Sequence, residues 1–215
     1  MKERGIIFNA EMVRAILDGR KTQTRRIMKP QPTPCDYIDW RGKVRGGHVW
    51  PSNIFRTMLH VEGELQNGAG GWLGLVGDAC PFGNVGDRLW VRETFGLRVL
   101  RDALGGTGEF ITYRASNPDA VYCAWDGGYI PIKWRPSSQM TRRRSRILLE
   151  ITGVRVERLQ DISGEDARSE GFICTDSPAM GDIDEFSHTW KSTYGEDSWP
   201  ANPWVWVIEF RRVTP

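Results

Sequence analysis

The apolar and polar positions at the start of the chain predict a strand followed by a helix. The run "GIIFN", residues 5–9, is mostly apolar, which is typical of a short buried strand. In "AEMVRAILDG", residues 10–19, apolar side chains recur every three or four positions, the spacing of one helix face. Asn9 stands where an N-cap is needed, and Gly19 stands where a helix commonly ends. The next residues, "KTQTRRI", predict either an exit loop or a threonine-bearing strand.

Three later segments have the pattern of strands. In "RLWVRE", residues 88–93, apolar side chains alternate with Trp90 and Arg92, so the strand should have two distinct faces. The segment "SRILLEITGVRVERL", residues 145–159, predicts two strands joined at a corner formed by Thr152 and Gly153. The segment "NPWVWVIEFRRV", residues 202–213, is apolar on both sides, so we expect a central strand covered on both faces.

Two further helices are predicted between these strands. In "DISGEDARSEGF", Ser163 is a candidate N-cap and Asp166 follows three residues later, which is the pattern of a capping box. Glu165 lies in the first turn and Gly171 follows the last residues of this short helix. In "IDEFSHTWKSTYG", residues 183–195, aromatic rings recur at every fourth position, which predicts the second helix.

The remaining chain is rich in Pro and Gly and has no steady period, at about residues 30–79 and 98–138. We interpret both stretches as insertions of loops and short hairpins, the first ordered in part by Trp40, Trp50 and Trp72. The whole chain, residues 1–215, is therefore predicted to be a single α+β domain. Its expected architecture is a small mixed β-barrel with a few flanking helices.

Composition and charge narrow the function classes only slightly. The net charge is +2, so no global field favours nucleic acid. Arginine outnumbers lysine by 23 to 6, which suits phosphates and base edges but also follows from GC-rich coding. Ten tryptophans exceed the ordinary need of a core and suit stacking on bases or sugars.

Cysteine spacing and hydropathy give expectations about metals and location. Cys35, Cys80, Cys123 and Cys174 lie far apart, so no zinc site and no cofactor is expected. We expect a cytoplasmic protein with reduced thiols and no membrane partner, because there is neither a signal peptide nor a long apolar run.

The candidate chemistry begins directly after the first helix. The stretch "ILDGRKTQTRR", residues 16–26, holds four positive charges and three amide or hydroxyl side chains, and it offers almost nothing to a core. It is either a solvated turn or a binding site for an anionic or polar ligand. A second basic stretch, "KWRPSSQMTRRRSR", residues 133–146, carries six positive charges and no acid. It could hold a phosphate backbone while Trp134 stacks on a base, or it could be a solvated loop.

The chain resembles the ASCH domain, a branch of the PUA-like β-barrel superfamily. The resemblance lies in five segments, in this order: "DGRKTQTRR", "GDRLWVRE", "LLEITGVRVERLQDIS", "EDARSEGF" and "PWVWVIEF". The block "CPFGNVGDRLWVRETF" and the insertions are similar to the longer ASCH proteins of phages and prophages. The resemblance covers residues 5–29, 80–97 and 140–213. It implies a cleft on the barrel that binds RNA, DNA or a modified nucleoside.

The same resemblance implies a catalytic set. Small bacterial ASCH proteins similar at "ILDGRKTQT" are amidohydrolases that remove the acetyl group from N4-acetylcytidine. Their catalytic Lys, Thr and Glu correspond to Lys21, Thr24 and Glu170 here. Thr24 would be the nucleophile, Lys21 its base and Glu170 an acid or base, while Arg25 or Arg26 could stabilise an oxyanion or bind a phosphate.

Two physical conditions go with this hypothesis. Lys21 is a base only if its pKa falls, and burial beside Arg25 and Arg26 would lower it. Lys21 and Thr24 would point to opposite faces of a plain strand, because their separation is odd. The hypothesis therefore requires non-strand geometry at residues 21–23.

Other candidates and rival functions stay open. Trp90 and Glu93 could line the cleft, and Arg142, Arg143 and Arg144 could bind a nucleic-acid backbone together with Trp134. A non-catalytic RNA- or DNA-binding module that recognises modified bases is the first alternative to the amidohydrolase. Ribonuclease activity is a weaker alternative, since none of the three histidines belongs to a recognisable catalytic pair.

Overall fold

The computed structural model describes residues 1–38, 41–51, 58–60, 79–101, 107–123, 128–172 and 181–213. These residues form thirteen β-strands and three α-helices. The strands are β1 (Glu3–Ile7), β2 (Gln23–Ile27), β3 (Thr33–Ile38), β4 (Val44–Pro51), β5 (Met58–His60), β6 (Arg88–Arg92), β7 (Phe95–Arg101), β8 (Thr107–Tyr113), β9 (Val121–Cys123), β10 (Tyr129–Pro131), β11 (Trp134–Arg135), β12 (Leu148–Arg158) and β13 (Trp204–Val213). The helices are α1 (Ala10–Leu17), α2 (Gly164–Ser169) and α3 (Asp182–Tyr194).

A five-stranded mixed sheet, in the order β1-β6-β12-β13-β2, is the centre of the fold. β1 and β6 are parallel, and the other three pairs are antiparallel. The last strand, β13, lies between β12 and β2, as its apolar sequence predicts. Its first five residues, 204–208, are all buried, because both faces of the strand are covered.

The two faces of β13 belong to two different hydrophobic clusters. Trp206 and Ile208 pack in the larger cluster, which also contains α1 residues and the apolar side chains of β6. Val205 and Val207 pack in the smaller cluster with α2 and α3. The sheet therefore separates α1 on one side from α2 and α3 on the other, and β2 runs along the edge between them.

The predicted pair of strands at residues 145–159 is one long strand. β12 continues from Leu148 to Arg158 and pairs with β13 along its whole length. The predicted corner at Thr152 and Gly153 is a shift in register between Ile151 and Gly153. A β-bulge of this kind bends a strand without ending it, because one extra residue is accommodated while pairing resumes on either side. The prediction of two strands is wrong for this reason.

The mixed α+β class is confirmed, but the described strands form open sheets rather than a closed barrel. β1 and β2 are the two outer strands of the central sheet and are not paired with each other in the described chain. One side chain does connect them, since Arg26 Nη2 donates a hydrogen bond to the carbonyl of Ile7 at 2.7 Å. The sheet is therefore curved enough for its two edges to approach each other at this end.

The predicted helix ends agree with the structure. The Asn9 side chain accepts a hydrogen bond from the amide of Met12 at 2.8 Å, and Gly19 has a left-handed φ of +77° after α1. Ser163 and Asp166 form the complete capping box of α2. The aromatic period predicts α3, of which Phe186 and Trp190 are buried.

The described parts of the two predicted insertions are mostly β-structure. β3, β4 and β5 form an antiparallel sheet, and Trp50 of β4 packs edge-on against Trp206 at 5.3 Å between ring centroids. β7, β8 and β11 form a second small sheet, next to the β9–β10 hairpin. Trp40 and Trp72 lie outside the described residues. No helix in the described ranges has both the length and the apolar character needed to cross a bilayer.

Trp206 is predicted to be the largest single contributor to the core. Its side chain is 1% exposed, at the middle of the covered strand. Trp206→Ala should lower the free energy of unfolding by about 3–5 kcal/mol, because it leaves a cavity that neighbouring side chains cannot fill. Phe110→Ala, which truncates a ring that is 56% exposed, is the control and should change stability by less than about 0.5 kcal/mol. Equal losses in urea denaturation would contradict this account of the core.

Candidate functional site

The turn after α1 places Lys21 outside the strand that follows it. The amides of Arg20 and Lys21 both donate to the carbonyl of Ala15, at 2.9 and 3.0 Å. This tightens the exit from the helix and directs the chain inward. The required non-strand geometry is present at Lys21 and Thr22, while Gln23 is already the first residue of β2.

This turn is tied to the end of α2, which is distant in sequence. The amide of Thr22 donates to the carbonyl of Ser169 at 2.8 Å. Lys21 Nζ donates to the carbonyl of Glu170 at 2.8 Å, and Arg20 donates to the next carbonyl, at 3.1 Å. Three consecutive residues on each side are therefore joined, which brings the two halves of the predicted catalytic set together.

Gly171 makes this close approach possible. Its φ of +98° is a conformation that side chains with a Cβ rarely adopt. A Cβ at this position would lie 3.0 Å from that of Ala15 and 3.2 Å from that of Lys21. The glycine that was predicted to end α2 is thus also a packing requirement of the Lys21 turn.

Lys21 and Glu170 form a buried ion pair. Lys21 Nζ lies 2.5 Å from Glu170 Oε2, and the two side chains are 0% and 2% exposed. Burial lowers the pKa of Lys21, the Glu170 carboxylate opposes this, and the Arg26 and Arg25 charges add to the lowering. Glu170 accepts through both its carboxylate and its carbonyl, so the lysine also satisfies a carbonyl group at the end of α2.

Arg25 is the second buried charge of the site. Its side chain is 0% exposed, and its Nη2 lies 3.0 Å from Glu157 and 3.4 Å from Asp166. Its Nη1 lies 3.6 Å from Glu170 Oε1, which is close enough for an ion pair but too long for a hydrogen bond. The guanidinium therefore joins the acids of β12 and α2 to the Lys21–Glu170 pair.

Asp166 connects this network to the start of α2. Besides its capping role, it accepts from Gln23 at 3.1 Å and from Arg155 at 2.9 Å. Desolvation acts to raise the pKa of Asp166, but hydrogen bonds from Ser163 and Gln23 and the charge of Arg25 outweigh it and lower that pKa to about 2. The carboxylate is therefore charged throughout the physiological range.

Thr24 and Glu170 line one cavity of about 190 Å³ beside β2. Thr24 is 2% exposed, and Arg25 and Arg26 also line the cavity. Its remaining wall is mainly apolar and aromatic, formed by Ile7, Met12, Phe172, Phe186, Trp190 and Tyr194. Lys21 is not among the lining residues and lies behind Glu170. A small flat ligand with a few polar atoms suits such walls.

Unsatisfied polar atoms are concentrated at this cavity. Among the described residues, seven buried side-chain polar atoms have no hydrogen-bond partner, and five of them belong to residues that line it. These are Arg25 Nε, Arg25 Nη1, Arg26 Nε, Glu170 Oε1 and Trp190 Nε1. Each such atom costs about 1–3 kcal/mol, and two of the five, Arg25 Nη1 and Glu170 Oε1, offset part of this cost because they face each other at 3.6 Å. Neighbouring side chains cover the five atoms, so a ligand reaches them only after side chains shift.

A second cavity, of about 320 Å³, adjoins the first and shares Asn9, Met12, Glu170, Phe172 and Thr189 with it. Its own walls are polar. Four acids, Glu11, Asp18, Glu170 and Glu185, face two arginines there, Arg14 and Arg20. The balance of charge in this second cavity is therefore negative.

Trp90 and Glu93 line neither of these cavities. The two oxygens of Glu93, which is 2% exposed, accept from Nε and Nη2 of Arg146 at 2.9 and 3.0 Å. Trp90 is half-buried on β6, with the Arg92 guanidinium 5.4 Å from its ring centroid. Both residues therefore have structural partners away from the Lys21–Glu170 pair.

Trp134 and the Arg142–Arg144 turn also lie apart from the two cavities. Trp134 is on β11, which pairs with β7. Arg142 forms an ion pair with Glu3 at 2.7 Å, and Arg144 lies 6.0 Å from the ring centroid of Phe95. The structure thus groups Lys21, Thr24, Arg25, Arg26 and Glu170 and leaves the other candidates elsewhere.

Several cavity residues were not predicted as site residues. Phe172 follows Gly171, and Trp190 was noted only as part of the aromatic face of a helix. An aromatic stripe of this kind normally packs in a core, and Trp190 does so while its Nε1 has no partner. Arg155 and Glu157 of β12 belong to the charge network around Arg25 and Asp166 rather than to the cavity wall, and no sequence motif marks them. Within the described ranges, no three His, Cys, Asp or Glu side chains are grouped to hold a metal ion.

Gly171→Ala should loosen the junction between α2 and the Lys21 turn. The left-handed φ and the short contacts to Ala15 and Lys21 predict a loss of about 1–3 kcal/mol in the free energy of unfolding. Gly164→Ala, at the other end of the same helix, meets nothing closer than 3.6 Å and should be neutral or slightly stabilising. Urea denaturation of both variants measures the difference, and an unchanged Gly171→Ala protein would contradict the packing requirement.

Asp166 should contribute a pH-dependent part of the stability. Its pKa is lower in the folded than in the unfolded chain, so its contribution is present above about pH 4 and is lost as the pH falls towards 2. The difference in melting temperature between the wild type and Asp166→Asn should therefore narrow across this window. Glu165→Gln, which changes an exposed acid on the same helix, serves as the control. A difference that stays constant from pH 7 to pH 2.5 would refute this role.

Comparison with known proteins assigns the chain to no family. No protein-family model matches it, and no curated protein or solved structure is similar to it. The predicted membership of the ASCH family stays a prediction from the sequence.

Proposed function

We propose that this protein is a PUA-like ASCH protein that binds an N4-acylated cytosine nucleoside in the 190 Å³ cavity and hydrolyses its exocyclic amide. One observation carries the proposal: a buried Lys21–Glu170 pair lies at a cavity that Thr24 lines and that collects five unsatisfied polar atoms. An amidohydrolase needs a nucleophile, a group that accepts and returns its proton, and donors for the oxyanion. The residues around this cavity supply all three types of group.

The unsatisfied atoms match the hydrogen-bonding pattern of the proposed base. Four of them are donors, on Arg25, Arg26 and Trp190, and one is an acceptor, Glu170 Oε1. An N4-acylcytosine offers three acceptors, which are the O2 carbonyl, N3 and the acyl oxygen, and one donor, the exocyclic N–H. A phosphate offers no obligatory donor for Glu170. The donor-rich cavity with one carboxylate oxygen therefore suits the acylated base better than a bare anion.

The size and charge of the two cavities support a nucleoside. The volume of the first cavity, about 190 Å³, is below that of pockets that bind drug-sized ligands, so the cavity suits a single ring. The adjoining cavity has four acids against two arginines, which suits sugar hydroxyls and repels phosphate. A nucleoside would thus place its base against the aromatic wall and its sugar in the polar cavity.

The Lys21–Glu170 pair acts in this proposal as one proton-transfer unit. Burial lowers the pKa of Lys21, so the lysine acts as a neutral amine, and Glu170 Oε2 holds it in place across 2.5 Å. The neutral amine then accepts the Thr24 hydroxyl proton as the oxygen attacks the acyl carbonyl. The pair returns a proton to the departing exocyclic nitrogen, and the deacylated cytosine nucleoside leaves. Water then cleaves the threonine ester, which releases the carboxylic acid and restores the hydroxyl.

A non-catalytic base-binding module is the second candidate, and one observation favours it. Lys21 does not line the cavity, and the two hydrogen bonds of its Nζ both go to Glu170. In that case the lysine only holds the carboxylate in place, and the base is bound without being cleaved. Binding of an N4-acylated nucleoside without release of its acid would distinguish this module from the enzyme.

Incubation of the purified protein with N4-acetylcytidine tests the proposal. Turnover should fall by about a hundredfold or more in Lys21→Ala, Thr24→Ala and Glu170→Gln. Thr24→Ser should retain activity, since it keeps the hydroxyl. The rate of the wild type should rise with pH and level off below the ordinary lysine pKa, because the pKa of Lys21 is lowered and the amine must be neutral.

Thr22→Ala provides a matched control, because this exposed threonine is two residues away and does not line the cavity. Circular dichroism of every variant separates a loss of chemistry from a loss of fold. Thr24→Ala with full turnover would refute Thr24 as the nucleophile. Absence of turnover in a folded wild type that binds N4-acetylcytidine would favour the binding module.

A further inference from the structure

One face of the small sheet of β11, β7 and β8 packs on the body of the protein. Phe95 and Tyr113 are opposite each other in the β7–β8 pair and point to the covered face, where Phe95 is 0% exposed. The Arg146 guanidinium lies 4.0 Å from the centroid of the Tyr113 ring on that side. Because side chains alternate along a strand, Gly96 and Arg98 of β7 belong to the opposite face of the sheet from Phe95.

That other face combines aromatic rings with an arginine. Arg98 is opposite Phe110 in the register of β7 and β8, and Phe110 is 56% exposed. The Arg98 guanidinium lies 3.9 Å from the ring centroid of Tyr122, which belongs to the β9–β10 hairpin. Trp134 of β11 is opposite Gly96, which lies two residues from Arg98 on β7. We call Arg98, Phe110, Tyr122 and Trp134 the aromatic face.

Positive charge is concentrated in the same part of the chain. Residues 98–146 contain nine Lys or Arg and four Asp or Glu, a net charge of +5, whereas the whole chain has +2. The rest of the protein is therefore net negative. Lys133 and Arg135, on either side of Trp134, are both exposed. Arg142 and Arg146 pair with Glu3 and Glu93, which lie outside this range, and the range together with these two acids still has a net charge of +3, which attracts a polyanion.

We propose that the aromatic face binds single-stranded nucleic acid. Unpaired bases stack on Phe110, Trp134 and the Arg98–Tyr122 pair, while phosphates lie near Lys133 and Arg135. A duplex keeps its bases stacked on one another, so it cannot use exposed rings in this way. An apolar protein partner would match Phe110 but would not use the positive charge around it.

This surface is separate from the cavity of the proposed amidohydrolase. None of the four residues of the aromatic face lines either cavity at Glu170. Strand binding therefore does not depend on whether the cavity hydrolyses a nucleoside. The two proposals can fail independently.

Fluorescence anisotropy with a labelled oligonucleotide of about a dozen nucleotides tests the surface. We expect the single strand to bind more tightly than a duplex of the same length. Its affinity should fall at least tenfold between about 50 and 200 mM salt. Phe110→Ala and Trp134→Ala should each weaken binding by about 5- to 150-fold, the loss of one stacked base.

Tyr129→Ala is the matched control. Tyr129 is 76% exposed on the neighbouring β9–β10 hairpin and is opposite Cys123, so its ring lies on the face of the hairpin that does not carry Tyr122. This variant should bind within about twofold of the wild type. The proposal is overturned if the single strand does not bind at low salt, if the duplex binds equally well, or if Tyr129→Ala loses as much affinity as Phe110→Ala.

Discussion

The buried ion pair between Lys21 and Glu170 is the constraint on which the candidate site depends. Two charges with 0% and 2% exposed side chains are tolerated only because each neutralises the other and because the lysine also satisfies a carbonyl at the end of α2. The pair holds the turn after α1 against α2, and Gly171 allows the two backbones to meet. Removal of Glu170 would leave the Lys21 charge without its partner, whereas removal of Lys21 would leave Glu170 with the more distant Arg25 at 3.6 Å.

Arg25 links the buried Lys21–Glu170 pair to acids of β12 and α2. It lies on an edge strand, where an arginine would ordinarily reach solvent, yet its side chain is covered by Glu157, Asp166 and Glu170. The 3.6 Å separation from Glu170 is an imperfect contact inside an otherwise closely paired network. Sites of binding and catalysis commonly keep such unsatisfied groups, because a ligand is then the partner that completes them.

The two proposals concern separate parts of the molecule: nucleoside hydrolysis beside the central sheet, and strand binding on the inserted sheet. The central sheet and its helices enclose the buried charges, the aromatic wall and the small cavity. The inserted sheet of β7, β8 and β11 lies apart from these residues and carries one exposed and one half-buried ring, Phe110 and Trp134, in a segment of the chain with a net positive charge.

Local pattern in the sequence was enough to predict the Asn9 cap, the capping box of Ser163 and Asp166, and the covered strand β13, because caps and hydrophobic periods depend on neighbouring residues. The choice of Lys21, Thr24 and Glu170 as a catalytic set came from the resemblance to ASCH amidohydrolases and stays a prediction. Local pattern could not show that β12 bends at a bulge without ending, or that the described sheets stay open, since both depend on strand pairing. Only the tertiary structure brought residues 149 positions apart to 2.5 Å and set Trp190 and Arg25 at the same cavity. Contacts at this sequence separation arise from packing of the whole sheet, which no local pattern encodes.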